Sequence, residues 1–313
     1  MTDSRESFCA AIAAAGINPP SAGDIPEGVI YRFNGTGKRG GTKNSWLVFF
    51  SDGNPSGRFG SWDMGIDCTW SVKSDDELTP AEREAMRERV RAAQRMRDAE
   101  TAKRNAGASV KANGIWAAGI PAVGHPYLKA KAVKAHGLRV GQWQKWDHDT
   151  GELLTLQNVL YVPMRDTTGK LWSLQGITID GEKLFLAGGK VKACYHSIGR
   201  PSGRLIIGEG YATCATVHEA TGDGVAVAFN SGNLDPVARA LRAKYPCLSI
   251  IVAADDDHQT PGNPGLAAAR VAAAAVGGSV ALPDFTGLPR GPRDSDYNDL
   301  VRLAGKVKIG GAA

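Results

Sequence analysis

The chain has 313 residues, 42% of them hydrophobic, and a formal net charge of +5. That length exceeds one typical domain and the apolar content suffices for real cores, while no run of about 18 apolar residues offers a membrane span. The charge is mild, compatible with a nucleic-acid partner without demanding one.

Residues 1 to about 25 read as a short Ala-rich helix that breaks at Pro19-Pro20. The first residues lack a basic start followed by an apolar stretch, so no signal peptide is expected. The five cysteines, Cys9, Cys68, Cys194, Cys214 and Cys247, are scattered and odd in number, with no Cys-x-x-Cys. Neither a zinc ribbon nor a disulfide framework is supported, and a reducing cytoplasm fits best.

Residues 28–73 read as β-rich, with strands at Val29–Phe33 and Trp46–Phe50 separated by Gly-rich or polar turns. The loop from Gly35 to Lys43 is basic and flexible in composition, and Lys38, Arg39 and Lys43 are DNA-contact candidates. Phe59, Trp62 and Trp70 follow. They serve either as the core of a small β module or as faces on which single-stranded bases stack.

Thr79-Pro80-Ala81-Glu82 carries the signals of a helix start: a capping hydroxyl, a first-turn proline and a capping-box glutamate. The stretch to about Asn105 is nearly all charge and Ala, with Arg83, Arg87, Arg91 and Arg95 every fourth residue. Lacking a continuous apolar stripe, it reads as a solvated connector, with phosphate binding by the Arg row as the alternative. A second helical patch covers Ala108–Ala118. Residues 140–200 then switch to short strands at Leu160–Met164, Leu171–Gln175 and Lys183–Leu186, the first two joined by a turn at Asp166–Gly169.

From 204 onward strand and helix alternate. Strands are expected at Leu205–Ile207, Val225–Ala228, Leu248–Ala253 and Ser279–Leu282, with helices at Ala212–Ala220, Leu234–Lys244 and Leu266–Ala275. This order implies a parallel sheet covered by helices. Ligands of such sheets bind outside the carboxyl ends of the strands. Two acidic segments fall there: Glu209, bracketed by Gly208 and Gly210, and Asp255-Asp256-Asp257.

If the two strands are neighbours, a spacing of about 4.8 Å brings Glu209, Asp255 and Asp257 together. Carboxylates this close repel, and a divalent cation such as Mg²⁺, which takes oxygen ligands and keeps substrate phosphates in its shell, is the natural compensation. Phosphodiester or nucleotide chemistry follows. The competing reading is a loop cap, with Asp255 capping the next helix. Asp256 is expected to point away from the ion and to matter least of the triplet. Asp296 and Asp299, in Asp294-Ser295-Asp296-Tyr297-Asn298-Asp299, either complete the cation site or cap a short helix.

Gly208-Glu209-Gly210-Tyr211-Ala212-Thr213, some forty-five residues before Asp255-Asp256-Asp257, resembles the Toprim domain over roughly 204–300. That domain is shared by bacterial-type primases, topoisomerases, small-fragment nucleases and recombination mediators. The preceding Tyr161–Asp166, Gly169–Gln175 and Gly181–Leu186 segments are similar to the subdomain before Toprim in bacterial-type primases. Together they point to the Toprim primases of phages, plasmids and mobile elements. The resemblance implies a small β-rich module at 1–75, a charged helical connector at 76–120, a mixed α+β primase-core subdomain at 121–203 and an α/β Toprim domain, a parallel sheet with flanking helices, at 204–313.

The resemblance further implies a DNA primase making short RNA primers on single-stranded DNA with Mg²⁺ or Mn²⁺, in the cytoplasm of a bacterial host. Glu209, Asp255 and Asp257 would be catalytic and metal-binding. Arg165, Lys183, Lys190 and Lys192 would hold nucleotide or template, and ribonucleoside triphosphates would be the substrates. Two features depart from the family. Residues 28–73 hold one cysteine, Cys68, and no histidine, so no zinc is expected and the module reads as a metal-free relative of the primase zinc-binding domain or as something unrelated. No Gly-x-x-x-x-Gly-Lys-Ser/Thr occurs, so a helicase is expected as a separate protein or in a longer chain. The rivals are a Toprim nuclease using the same carboxylates and a non-catalytic single-strand-binding replication factor; a topoisomerase lacks an obvious tyrosine-bearing domain.

Overall fold

The computed structural model describes residues 4–36, 43–62, 64–73, 79–147 and 150–305, in two compact units, Met1–Asp98 and Ala99–Ala313. In the first unit, α1 (Ser4–Ala14) packs on an antiparallel sheet in the order β1 (Tyr31–Phe33), β2 (Ser45–Phe50), β3 (Ser56–Ser61), β4 (Ile66–Ser71). β3 escapes a sequence reading because Ser56–Ser61 is Gly- and Ser-rich, with weak β propensity. Phe8 of α1 is fully buried at the centre, with ring centroids 5.3 Å from Phe49, 5.8 Å from Phe59 and 5.2 Å from Trp70. Core packing therefore claims Phe59 and Trp70. Trp62 is 56% exposed, with the Arg32 guanidinium 5.6 Å from its ring.

The charged connector and the second helical patch are one helix, α2 (Pro80–Ala118), which runs through both units. Gly107, between the two stretches, sits inside it with open space around its Cβ position. Three members of the Arg row are paired along the helix: Arg87 and Arg91 with Glu84 at 3.9 and 3.4 Å, and Arg95 with Glu88 at 2.6 Å. Such exposed pairs contribute a few tenths of a kcal/mol, and they support the solvated-connector reading.

The second unit contains two five-stranded sheets. The antiparallel one runs β5 (Ile120–Pro121), β6 (Arg139–Trp146), β7 (Leu153–Arg165), β8 (Leu171–Ile177), β9 (Lys183–Phe185), with α3 (Pro126–Ala130) between β5 and β6. The sequence hides β6 because, along it, only Trp143 is buried.

The other sheet has the order β10 (His196–Ile198), β12 (Gly224–Val227), β11 (Arg204–Gly208), β13 (Ser249–Ala253), β14 (Ser279–Ala281). The four strands expected from 204 onward are parallel, and β10 adds an antiparallel edge. The crossovers are α4 (Tyr211–Thr221), α5 (Leu234–Lys244) and α6 (Pro264–Ala275), and α7 (Tyr297–Ala304) follows β14. On one face Ile206, Val225 and Ile251 share a core with α4, α7 and the inner residues Leu160, Val162 and Ile177 of the antiparallel sheet. On the other, Leu205, Ile207, Ile250 and Val252 pack under α5 and α6. Burial on both faces is why β11 and β13 read as unbroken apolar runs. A backbone bridge joins the two layers: Arg165 and Tyr195 exchange N–H···O bonds of 3.0 and 2.8 Å.

Candidate active site

β11 and β13 are neighbours, with Gly208 opposite Ala253, so both acidic segments leave the sheet at the same level. Glu209 forms the turn between β11 and α4. A Cβ at Gly208 would lie 2.7 Å from Cys214 Sγ, so the chain can fold back onto α4 this tightly only with glycine there. The Phe229 amide donates to the Glu209 carbonyl at 2.8 Å, which fixes the backbone of this turn. Burial raises the pKa of Glu209, aided by the charge of Asp257 and opposed by Lys183.

Asp255 is the most strongly perturbed carboxyl. Burial first, then the charges of Asp296, Glu209 and Asp257, push its pKa up to about 8, against Lys183. Its Oδ1 is buried without a hydrogen-bond partner. Asp257 Oδ2 accepts from the Gly265 amide at 3.0 Å, in the first turn of α6, where the helix dipole favours an anion. A Cβ on Gly265 would come within 2.8 Å of that oxygen and of the Asp255 carbonyl, so the cradle requires glycine. The N-cap expected of Asp255 belongs instead to Asn263, which accepts from the Leu266 amide at 3.3 Å.

For Asp296 the two readings coexist. Its Oδ1 caps α7 by accepting from the Asp299 amide at 2.9 Å, and its Oδ2 accepts from Thr213 Oγ1 at 2.7 Å. It is also the charge that acts most on Asp255. Asp299 completes the capping box: its Oδ2 accepts from the Ser295 and Asp296 amides, and its Oδ1 lies 3.9 Å from Arg302. Its oxygens are spent on the helix start.

Of the basic candidates, Lys183 at the start of β9 is the one whose charge acts on the site carboxylates. Its charge is felt by Glu209 and Asp255, and it lines a cleft of about 530 Å³ with Gly210, Thr213, Asp296 and Asn298. Lys131 and Arg302 line the same cleft and carry no signal in the sequence, because helix packing alone brings them there. Arg165 donates to the Gly169 carbonyl at 2.9 Å and lies 5.8 Å from the Trp116 ring. Lys190 stands 4.8 Å from the centre of the Trp172 ring, which Lys170 also approaches to 3.8 Å, and Trp172 Nε1 donates to Asp166 at 2.6 Å. Among the described residues, no carboxylate lies within ion-pair range of Lys170 or Lys190. Lys192 is exposed; Lys43 is exposed in the first unit, and Lys38 and Arg39 lie outside the described residues.

Among the described residues, no three His, Cys, Asp or Glu side chains are arranged to hold an ion as they stand. The donor chemistry nonetheless fits a hard divalent cation. All the candidate donors are carboxylate oxygens, the charges of Asp296, Glu209 and Asp257 bear on Asp255, and one buried oxygen of Asp255 lacks any partner. No helix of the described residues is long and apolar enough to cross a membrane.

Residues 204–307 match the Toprim domain. Over 296 residues, 90% of this chain, the sequence is 34% identical to the DNA primase TraC of Escherichia coli; a second Escherichia coli DNA primase TraC is 35% identical over 302 residues. The matches cover 26% and 20% of those proteins, so the chain spans about a quarter of their length or less. A solved DNA primase domain from Pseudomonas aeruginosa aligns at 17% identity with a TM-score of 0.39, covering 56% of this chain and 66% of that one. Residues 204–307 are therefore a Toprim domain, in a chain related to DNA primase TraC over nine-tenths of its length.

Proposed function

We propose that the chain is the polymerising core of a DNA primase, which builds short RNA primers on single-stranded DNA from ribonucleoside triphosphates. One observation carries this reading: Lys183, on the antiparallel sheet, lines one cleft with Asp296, and its charge acts on Glu209 and Asp255 at the end of the parallel sheet. Carboxylates alone suit any phosphodiester chemistry. A cation held opposite them adds a grip on a polyphosphate, whose charge it partly neutralises.

Asp255, Asp257 and Glu209 would hold Mg²⁺ or Mn²⁺, with Asp296 beside Asp255. When bound, the ion supplies charge neutralisation at the reacting phosphate and a lowered pKa for an oxygen it touches. The chain's own residues do the rest. Lys183 binds the nucleotide's phosphates, with Lys131 and Arg302 on the same cleft wall. Glu209, its backbone fixed by the Phe229 amide, orients the 3′-hydroxyl; that oxygen bonds to the α-phosphorus as the bond to pyrophosphate breaks, and the hydroxyl proton leaves to solvent. Trp172 with Lys170 and Lys190 offers a surface for the template strand, as does Arg165.

The test is incorporation of labelled ribonucleotides on unprimed homopolymer and mixed single strands, with Mg²⁺ and Mn²⁺ in turn. Short RNA products from the wild type and none from Asp255→Ala with Asp257→Ala are expected. Strand cleavage without incorporation would assign the site to a nuclease instead.

A further inference from the structure

The sequence pattern gives Asp256 no task beyond pointing away from its acidic neighbours, yet the structure ties it down on every side. Its Oδ2 accepts from Arg290 Nη1 at 2.7 Å and its Oδ1 from Asn263 Nδ2 at 2.6 Å. Its carbonyl accepts from Arg290 Nη2 at 2.9 Å, and its amide donates to the Ser295 carbonyl at 2.8 Å. Arg290 is itself fixed: Nε donates to the Asp294 carbonyl at 2.8 Å, and the guanidinium lies 4.2 Å from the centre of the Phe285 ring. Asn263 faces both ways, since its Oδ1 accepts from the Asp257 amide at 3.0 Å.

We propose that Arg290, Asp256 and Asn263 form a clamp that positions the Asp255 and Asp257 carboxylates for divalent-cation binding. The proposal rests on the metal-binding reading above and adds positioning residues to it. In an extended segment successive side chains alternate, so gripping Asp256 from behind turns Asp255 and Asp257 forward together. Without the grip, repulsion among Asp255, Asp257, Asp296 and Glu209 would drive the loop outward before an ion arrived.

Arg290 also joins two carboxylate-bearing loops. It holds Asp256 and the Asp294 carbonyl at once, and Asp294 lies two residues before Asp296. A planar fork that donates to one residue's carboxylate and carbonyl together is a task lysine cannot reproduce. The Asp256–Arg290 pair is largely shielded, with side-chain exposures of 17% and 20%, so salt screens it weakly. The partners lie 34 residues apart, which is why no local pattern announces them.

The test is calorimetric titration of Mn²⁺ into the full chain without nucleotide, for the wild type, Arg290→Gln and the isosteric Asp256→Asn. Arg204→Gln serves as control: it breaks a 2.6 Å ion pair with Asp223 at the opposite end of β11. Both clamp variants should bind Mn²⁺ about 10–100-fold more weakly, the usual cost of losing a group that orients a ligand. Arg204→Gln should lower thermal stability and leave Mn²⁺ affinity unchanged. In primer synthesis the clamp variants should lose kcat with little change in KM for the template.

If Arg290→Gln fails to fold, Asp256→Asn carries the test. Folded clamp variants that bind Mn²⁺ like the wild type would overturn the clamp, as would an equal loss in Arg204→Gln. Failure of the underlying metal reading looks different: Asp255→Asn and Asp257→Asn would then bind Mn²⁺ as the wild type does.

Discussion

The two five-stranded sheets of the second unit share a core yet carry opposite chemistry. The parallel sheet is buried on both faces and delivers carboxylates at the carboxyl ends of β11 and β13. The antiparallel sheet, whose central strands are also buried on both faces, carries Lys183, Arg165, Lys170 and Lys190 on its outer strand and turns. The first supplies fixed anions that need a cation. The second supplies cations that need an anion. A polyphosphate with its divalent ion satisfies both, and neither sheet alone would.

The comparison breaks most severely if the anions go. Asp255→Ala with Asp257→Ala should reduce primer synthesis by about 10³-fold or more, as expected for losing strongly placed electrostatic groups. Circular dichroism should show the fold intact. Next comes the shared core: Ile206→Ala, in the layer common to both sheets, should cost about 2–5 kcal/mol in urea unfolding. The same truncation at exposed Val271 on α6 should cost far less.

The junction of the sheets predicts a pH dependence. His196 in β10 is fully buried by its neighbours, and burial first, then the charges of His136 and Arg165, lower its pKa to about 3. The folded value lies below the unfolded one, so the unfolded state takes up the proton first. The His196 contribution to stability is therefore complete above about pH 6.5 and falls on acidification, by about 2 kcal/mol at pH 5. The raised carboxyl of Asp255 acts in the opposite direction, so the readout is the difference between wild type and His196→Leu in urea melts, which should shift by about that amount between pH 7 and pH 5.

The smallest effect sharpens the basic side. For a single strand, the slope of log K against log salt falls by about 0.7 for each phosphate that the protein ceases to neutralise. Lys170→Ala with Lys190→Ala should thus reduce the slope for oligonucleotide binding by about 1.4 at most. Removing Lys43, in the other unit, provides the comparison.

Legibility in the sequence followed the same division. β11 and β13 stood out because burial on both faces leaves continuous apolar runs, and Glu209, Asp255 and Asp257 were found by their place at the ends of those runs. β6 stayed hidden because only Trp143 along it is buried. The β10 edge is three residues long, too short for a period to show. The unbroken α2 was obscured by its glycines and the absence of an apolar stripe. Pairings distant in sequence were the least visible: Arg290 with Asp256, Thr213 with Asp296, and Lys183 with the carboxylates depend on the fold as a whole.

Whether both sheets act on one substrate is tested most directly by ribonucleotide titration of primer synthesis with wild type, Lys183→Ala and Asp255→Asn side by side. Primers from the wild type, a KM for nucleotide raised about tenfold or more in Lys183→Ala, and no product from Asp255→Asn are expected. Wild-type KM in Lys183→Ala, or full synthesis by Asp255→Asn, would contradict a shared substrate.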